Sequence, residues 1–165
     1  MQTFTLIHVL ISLAGILSGF VFLFGLLTGQ EFSRWTAIFL ATTAATSVTG
    51  FFFPFHGITP AIVVGIISLV VLVLAIYARY GRQLAGAWRK TYVVTAVLAL
   101  YFNVFVLVVQ SFQKIQFLKN IAPTQNDPPF KLTQLVMLVV FIVLGILAAM
   151  RFRAEPASPI LEAKG

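Results

Sequence analysis

Five long apolar segments, separated by short polar connections, run along the chain. They cover residues 4–28, 35–53, 60–78, 92–112 and 132–150. Each is close to the roughly 20 residues that a helix needs to cross a hydrocarbon core about 30 Å thick. A helix is favoured over an open strand because lipid offers the backbone no hydrogen-bond partners. The pattern predicts an all-α membrane protein, a single bundle of five transmembrane helices over residues 1–152, followed by a flexible cytoplasmic tail at 153–165.

The second segment is the weakest of the five because hydroxyl side chains interrupt it. These are Thr42, Thr43, Thr46, Ser47 and Thr49. An alternative fold therefore has four spans, with the threonine-rich second segment not crossing the membrane. The sequence leaves this alternative open, although it would expose Arg34 on the outer side.

Charge is scarce and lies outside the apolar segments: 9% of the residues are charged, and the net charge is +7. No helix carries a basic stripe, which argues against a nucleic-acid partner. Lysine and arginine are instead enriched on the cytoplasmic side of membrane proteins. Five spans place most of the basic residues on one side, namely Arg34, Arg79, Arg82, Arg89, Lys90, Arg151, Arg153 and Lys164. The other side holds Lys114, Lys119 and Lys131. This predicts an outer N-terminus and a cytoplasmic C-terminus.

Aromatic residues provide an independent indication of orientation. Tryptophan and tyrosine prefer the membrane–water interface. The sequence predicts that five of these rings lie at the cytoplasmic interface, namely Trp35, Tyr77, Tyr80, Trp88 and Tyr92.

Small residues predict where the helices pack, because helices in lipid associate through close contact. Candidate packing glycines occur on the first, third and last spans, namely Gly15, Gly19, Gly25, Gly29, Gly65 and Gly145. On the second span, Thr42, Thr46 and Thr49 share a face. These stripes are expected to be packing seams of the bundle.

Polar side chains near the outer ends of the spans predict a shallow cavity open to the periplasm. Its candidate residues are His8, Ser12, His56, Asn103, Gln110, Gln113 and Gln134. His8 is the only His, Asp, Glu, Lys or Arg within a predicted span, and such residues are often functional. The alternative is an interfacial histidine bonded to a carbonyl or water.

The residue types present exclude several chemistries. The chain has no cysteine, so thiolate metal sites and cysteine nucleophiles are absent. No GxSxG or HExxH motif, paired carboxylates or phosphate-binding loop occurs, so a non-enzyme without a cofactor is expected. No Asp or Glu enters a predicted span, which argues against proton-coupled transport. His8 and His56 remain weak candidates for a metal or haem site.

The outer connection is the most distinctive segment outside the spans. It mixes apolar residues with prolines and amides, which predicts a short amphipathic piece on the membrane surface or a cap over the bundle. The chain, and most specifically FQKIQFLKNIAPTQNDPPF at 112–130, resembles uncharacterised small multi-pass proteins of bacterial inner membranes. The resemblance implies a bacterial cytoplasmic membrane and supplies no catalytic or binding residues.

Three functional hypotheses follow from these features. The first is a structural or accessory protein that packs with itself or with a membrane complex. The second is a small channel or facilitator for a neutral solute, lined by Thr46, Asn103 and Gln110. The third is a haem or metal protein that uses His8 and His56.

Overall fold

A computed structural model describes residues 2–54 and 60–153, and this part of the chain is helical without strands. Its α-helices are α1 (Gln2–Thr28), α2 (Ser33–Gly50), α3 (Pro60–Ile76), α4 (Trp88–Lys114), α5 (Gln116–Ile121) and α6 (Pro128–Arg151). A π-helical turn, Tyr77–Gly81, continues α3. The predicted all-α class is confirmed. His56 and most of the predicted tail lie outside the described residues.

Four of the described helices are long and apolar enough to cross a membrane. They are Gln2–Thr28, Ile62–Gly81, Trp88–Lys114 and Pro128–Arg151. α2 has 18 residues, but its hydroxyl side chains lower its hydrophobicity. The chain is thus a multi-pass membrane protein by the length and composition of its helices.

α1 and α2 form an antiparallel pair that is in register along its whole length. The contacts join His8 to Thr49, Gly15 to Thr42, Gly19 to Phe39 and Gly25 to Phe32. As the position in α1 rises, the position in α2 falls by nearly the same amount, so the two helices run side by side over this length. An 18-residue helix is about 27 Å long, a length at the short end of the range for membrane-spanning helices.

The turn between these helices is closed by Gly29. Gly29 has a φ of +73°, a left-handed conformation that favours glycine. The amide of Gln30 donates to the carbonyl of Gly25 at 2.9 Å, and the amide of Gly29 donates to that of Leu26 at 3.3 Å. These two bonds form the Schellman arrangement that commonly ends a helix. It reverses the chain and sends α2 back along α1.

The core lies in the half of the bundle near this turn. Phe22 and Phe39 stack with 5.1 Å between ring centroids, and Tyr92 packs edge-on to Phe22 at 6.1 Å. Phe39 and Leu100 are completely buried. In lipid, such close packing replaces the hydrophobic effect as the main force between helices.

Seven of the described basic residues lie at the end of the bundle formed by the 29–32 and 82–87 connections and the end of α6, here called the basic end. They are Arg34, Arg79, Arg82, Arg89, Lys90, Arg151 and Arg153. The opposite end, here called the distal end, carries Lys114, Lys119 and Lys131. The ends of the helices therefore differ sharply in charge.

Arginines at the basic end hold the helices together by bonding to polar groups of neighbouring elements. Arg89 Nη1 donates to the carbonyl of Phe152 at 2.9 Å. Arg79 is buried, forms an ion pair with Glu31 and lies 3.3 Å from the hydroxyl of Tyr92. Tyr92, predicted at the membrane interface, is only 1% exposed because it packs in the core beneath Arg79, and its depth in the membrane stays a prediction.

Candidate ligand-binding cavity

The distal half of the bundle contains a cavity of 570 Å³ bounded by α1, α2, α3 and α4. Cavities of about 300–1,000 Å³ are typical of small-molecule sites. The wall is mainly apolar and includes Val9, Leu13, Phe51, Phe102 and Val106. The space arises because the helices that pack tightly at the core leave a gap between them toward the distal end.

The cavity runs inward from His8 and Lys114 and ends near Ile16 and Asn103. The eight residues from His8 to Ile16 correspond to roughly 12 Å along α1. Below this level Phe39 and Leu100 fill the bundle. The cavity is therefore closed toward the basic end.

His8 is fixed at the distal end by a contact with α2. Its Nδ1 atom lies 2.8 Å from Oγ1 of Thr49. The imidazole also packs edge-on against Phe53, with 5.0 Å between ring centroids. The ring is thus held by a hydrogen bond on one side and an aromatic contact on another.

Asn103 marks the inner end of the polar lining. Its Nδ2 atom donates to Oγ1 of Thr43 at 3.0 Å, which links α4 to α2. This bond uses one of the amide's two N–H groups, so the second N–H and the carbonyl oxygen are left for other partners. Ser12, in contrast, donates to the carbonyl of His8 within its own helix at 2.7 Å.

Several hydroxyl groups of the lining have no hydrogen-bond partner among the described residues. Oγ1 of Thr46 is buried and unpaired. No hydrogen bond is made by the hydroxyls of Ser47 or Ser68 within the same part of the chain, and both side chains line the cavity. The hydroxyls of Ser47 and Ser68 can therefore bond to an occupant, because a hydroxyl both donates and accepts.

The structure brings four of the predicted cavity residues together, namely His8, Ser12, Asn103 and Gln110. Gln113 is exposed and does not line the cavity. Gln134 lies on α6, where its Nε2 atom donates to the carbonyl of Phe105 at 3.2 Å. α6 packs on α1 and α4 away from the cavity, so depth alone does not bring Gln134 to the site. His56 lies outside the described residues.

Sequence reasoning missed Ser47 and Thr49 as parts of the site. The predicted threonine face of α2 contains Thr49, but nothing in the sequence indicates that it faces His8. Ser47 lies off that face. Only the register of α2 against its neighbours reveals these roles.

The predicted packing glycines lie against other parts of this same chain. A Cβ atom on Gly15 would lie 3.2 Å from Thr42 Oγ1, on Gly25 3.0 Å from Gln30 O, on Gly65 3.2 Å from Phe51 Cζ and on Gly145 3.5 Å from Val97 Cγ1. Gly19 is the tightest, at 2.5 Å from Leu100 Cδ1. Gly29 forms the turn between α1 and α2.

Potential metal ligands do not cluster among the described residues. They contain no cluster of three or more His, Cys, Asp or Glu side chains. None of the described residues that line the cavity is Asp or Glu, while Lys114 lies at its edge. This part of the wall offers one imidazole and several neutral polar groups.

Comparison with known proteins found no matching family model, no matching curated protein and no matching solved structure.

Proposed function

We propose that this multi-pass membrane protein binds a small, largely apolar molecule with a polar group in its distal cavity. The observation that carries the proposal is a 570 Å³ space, closed toward the basic end, whose mainly apolar wall is interrupted by polar side chains such as His8, Asn103 and Gln110. Such a combination suits an amphipathic molecule, because the wall buries its apolar part and the polar groups orient it.

The packing beneath the cavity favours binding over passage. Phe39 and Leu100 are completely buried, and the backbone at Gly19 approaches both side chains. A solute entering from the distal end meets this layer and stops. The packing therefore argues against a channel through a single copy of the chain.

The other two hypotheses lack a structural feature that favours them. The accessory role was based on glycine faces, yet these glycines contact helices of the same chain. An association with itself or with a membrane complex stays a prediction. Of the two candidate ligands for a haem or metal, His8 and His56, only His8 lies within the described residues.

We also propose that all five long helices cross the membrane. The ion pair between Glu31 and Arg79 supports this arrangement because it joins the α1–α2 connection to the end of α3. α2 runs from that level to Phe51, which packs on Gly65 near the start of α3. α2 therefore has the same extent as α3, a helix apolar enough to cross.

The proposed orientation places the basic end in the cytoplasm and the distal cavity outside. Seven described basic residues at one end against three at the other favour this choice. We propose the bacterial inner membrane as the location, on the resemblance of the 112–130 segment.

The binding proposal is tested by filling the cavity. Val106 lines it, whereas Val94 on the same helix is 54% exposed on the outside of the bundle. Purified wild type, Val106→Phe and Val94→Phe are each incubated with a total bacterial lipid extract, and retained molecules are identified by native mass spectrometry.

We expect wild type and Val94→Phe to retain the same class of molecule and Val106→Phe to lose it. The added ring fills part of the cavity in Val106→Phe but lies outside the bundle in Val94→Phe. The two variants otherwise carry the same substitution in the same helix. Equal retention by all three proteins would show that the molecules bind elsewhere and would refute the proposal.

A further inference from the structure

The hydrogen bonds around Thr49 determine which nitrogen of His8 carries a proton. Oγ1 of Thr49 lies 2.6 Å from the carbonyl oxygen of Ala45 and 3.2 Å from that of Thr46. Carbonyl oxygens only accept, so the single hydroxyl proton of Thr49 is donated within its own helix. An oxygen–oxygen distance of 2.6 Å without a hydrogen between the atoms would be repulsive.

His8 must therefore supply the proton for its own bond to Thr49. The 2.8 Å contact between Nδ1 and Oγ1 also needs one hydrogen, and the hydroxyl has none left. Nδ1 is consequently the protonated nitrogen of the neutral ring, and Nε2 carries the lone pair. Nε2 has no hydrogen-bond partner among the described residues, so His8 offers the cavity an acceptor.

We propose, resting on the ligand-binding function above, that the cavity binds a neutral lipophilic phenol whose hydroxyl donates to Nε2 of His8. A hydroxyl is both donor and acceptor, so its oxygen also accepts from the donors nearby, Gln110 and Lys114. Phe51, Phe53 and Phe102 line the wall and suit an aromatic ring.

Charged ligands, whether cationic or anionic, fit this arrangement less well than a neutral phenol. A cationic ligand meets Lys114 and no carboxylate on the described wall. An anionic oxygen has no proton to give to Nε2, so it faces a lone pair. A neutral O–H group avoids repulsion by Lys114 and also donates a hydrogen bond to Nε2.

The tautomer is tested directly by ¹⁵N NMR of histidine-labelled protein in detergent at pH 8. The chain has two histidines, so His8→Gln assigns the signals. We expect His8 to be protonated at Nδ1 and Thr49→Val to remove this preference. Thr42→Val is the matched control, since Thr42 bonds to Ile38 in its own helix. A proton found on Nε2 of wild-type His8 would overturn the inference while leaving cavity binding intact.

The ligand class is tested with 4-nonylphenol and its methyl ether, 4-nonylanisole, which differ by the hydroxyl proton. We expect wild type to bind the phenol about 10-fold more tightly, as for one hydrogen bond to an otherwise unpaired group. His8→Leu should bind both probes alike. The two probes partition differently into micelles. Comparing the phenol-to-ether affinity ratio of wild type with that of His8→Leu cancels this difference.

Two results would refute the phenol assignment. One is equal binding of both probes to wild type, and the other is a preference that persists in His8→Leu. Tighter binding of 4-nonylbenzoate than of the phenol would instead assign the cavity to anions through Lys114. If Val106→Phe also leaves all binding unchanged, the proposed function fails as well, so the two failures are distinguishable.

Discussion

Threonine residues give α2 much of its polar character, and the hydroxyls of Thr42 and Thr49 are satisfied within the helix. Thr42 donates to the carbonyl of Ile38 at 2.6 Å, and Thr49 donates to that of Ala45 at 2.6 Å. Such bonds hide the hydroxyl against its own helix. Thr43 is different, because it is fully buried and accepts from Asn103 on α4.

Replacing Thr43 with valine should therefore cost more than the same change at Thr42. Thr43→Val keeps the side-chain shape but removes the acceptor for Nδ2 of Asn103. We expect a loss of about 0.6 kcal/mol in the free energy of unfolding, with about 1.7 kcal/mol as the upper limit for such bonds in membranes. Unfolding by SDS in mixed micelles measures it. A Thr42→Val variant that is destabilised as much as Thr43→Val would contradict this account.

The burial of Arg79 is a residue-scale feature that the sequence does not predict. Its position next to Arg82 indicates an exposed cytoplasmic loop, yet it is 9% exposed. Glu31 neutralises it, and Tyr80 and Tyr92 lie beside the guanidinium at 5.3 and 5.6 Å. A partner more than forty positions away cannot be inferred from local composition, so this burial was not predictable.

At the scale of elements, the closest helix contact occurs where α1 meets α2 and α4. A Cβ atom on Gly19 would lie 2.5 Å from Leu100 and 3.0 Å from Phe39. Both neighbours are completely buried. Gly19 therefore fixes the distance between three helices.

Gly19→Ala should overpack this contact and lower the free energy of unfolding by about 1–3 kcal/mol. Gly145→Ala is the control, because its Cβ would make an ordinary contact of 3.5 Å with Val97. Adding Leu100→Val to Gly19→Ala should recover part of the loss, since it removes a methylene at the point of contact. SDS unfolding of the four proteins tests this, and a Gly19→Ala protein as stable as wild type would show that the contact is not limiting.

The sequence predicted the long helices well because their length is set by the bilayer. The prediction of 132–150 compares with α6 at Pro128–Arg151, and 35–53 compares with α2 at Ser33–Gly50. The π-helical turn at Tyr77–Gly81 was not anticipated, because it has no composition signal. α5 is a short helix without buried residues, and both interpretations of this connection, a surface segment and a cap, stay predictions.

At the scale of the whole molecule, the site was only partly predictable. Depth along the helices follows from the alternating direction of the segments, and this grouped His8 with Asn103 and Gln110. Which helices are neighbours does not follow from depth, so Gln134 was included although it bonds to Phe105 on another face of α4. The cavity itself depends on how the helices pack, and this packing cannot be inferred from a single sequence.

The five-span topology predicts on which side each connection lies. The chain has no cysteine, so single cysteines report accessibility without background. We expect Gln30→Cys to be labelled by a membrane-impermeant maleimide only after the bacterial inner membrane is permeabilised, as for Ala85→Cys. Gln125→Cys should be labelled in spheroplasts with intact membranes. All three positions are exposed.

Labelling of Gln30→Cys without permeabilisation, with Ala85→Cys still protected, would indicate the four-span alternative. In that topology the α1–α2 connection lies outside while the 82–87 connection stays in the cytoplasm. The ion pair of Glu31 with Arg79 would then have to be absent in the membrane.

The register between α1 and α2 has a consequence for biogenesis. A segment with this many hydroxyls partitions into lipid less readily than its neighbours, and a lone α2 leaving the translocon would be free to remain at the bilayer surface. The short Gly29 turn instead delivers it beside α1, whose glycines receive Thr42 and Phe39. In the proposed five-span topology, we therefore expect the first two helices to enter the bilayer together as one hairpin.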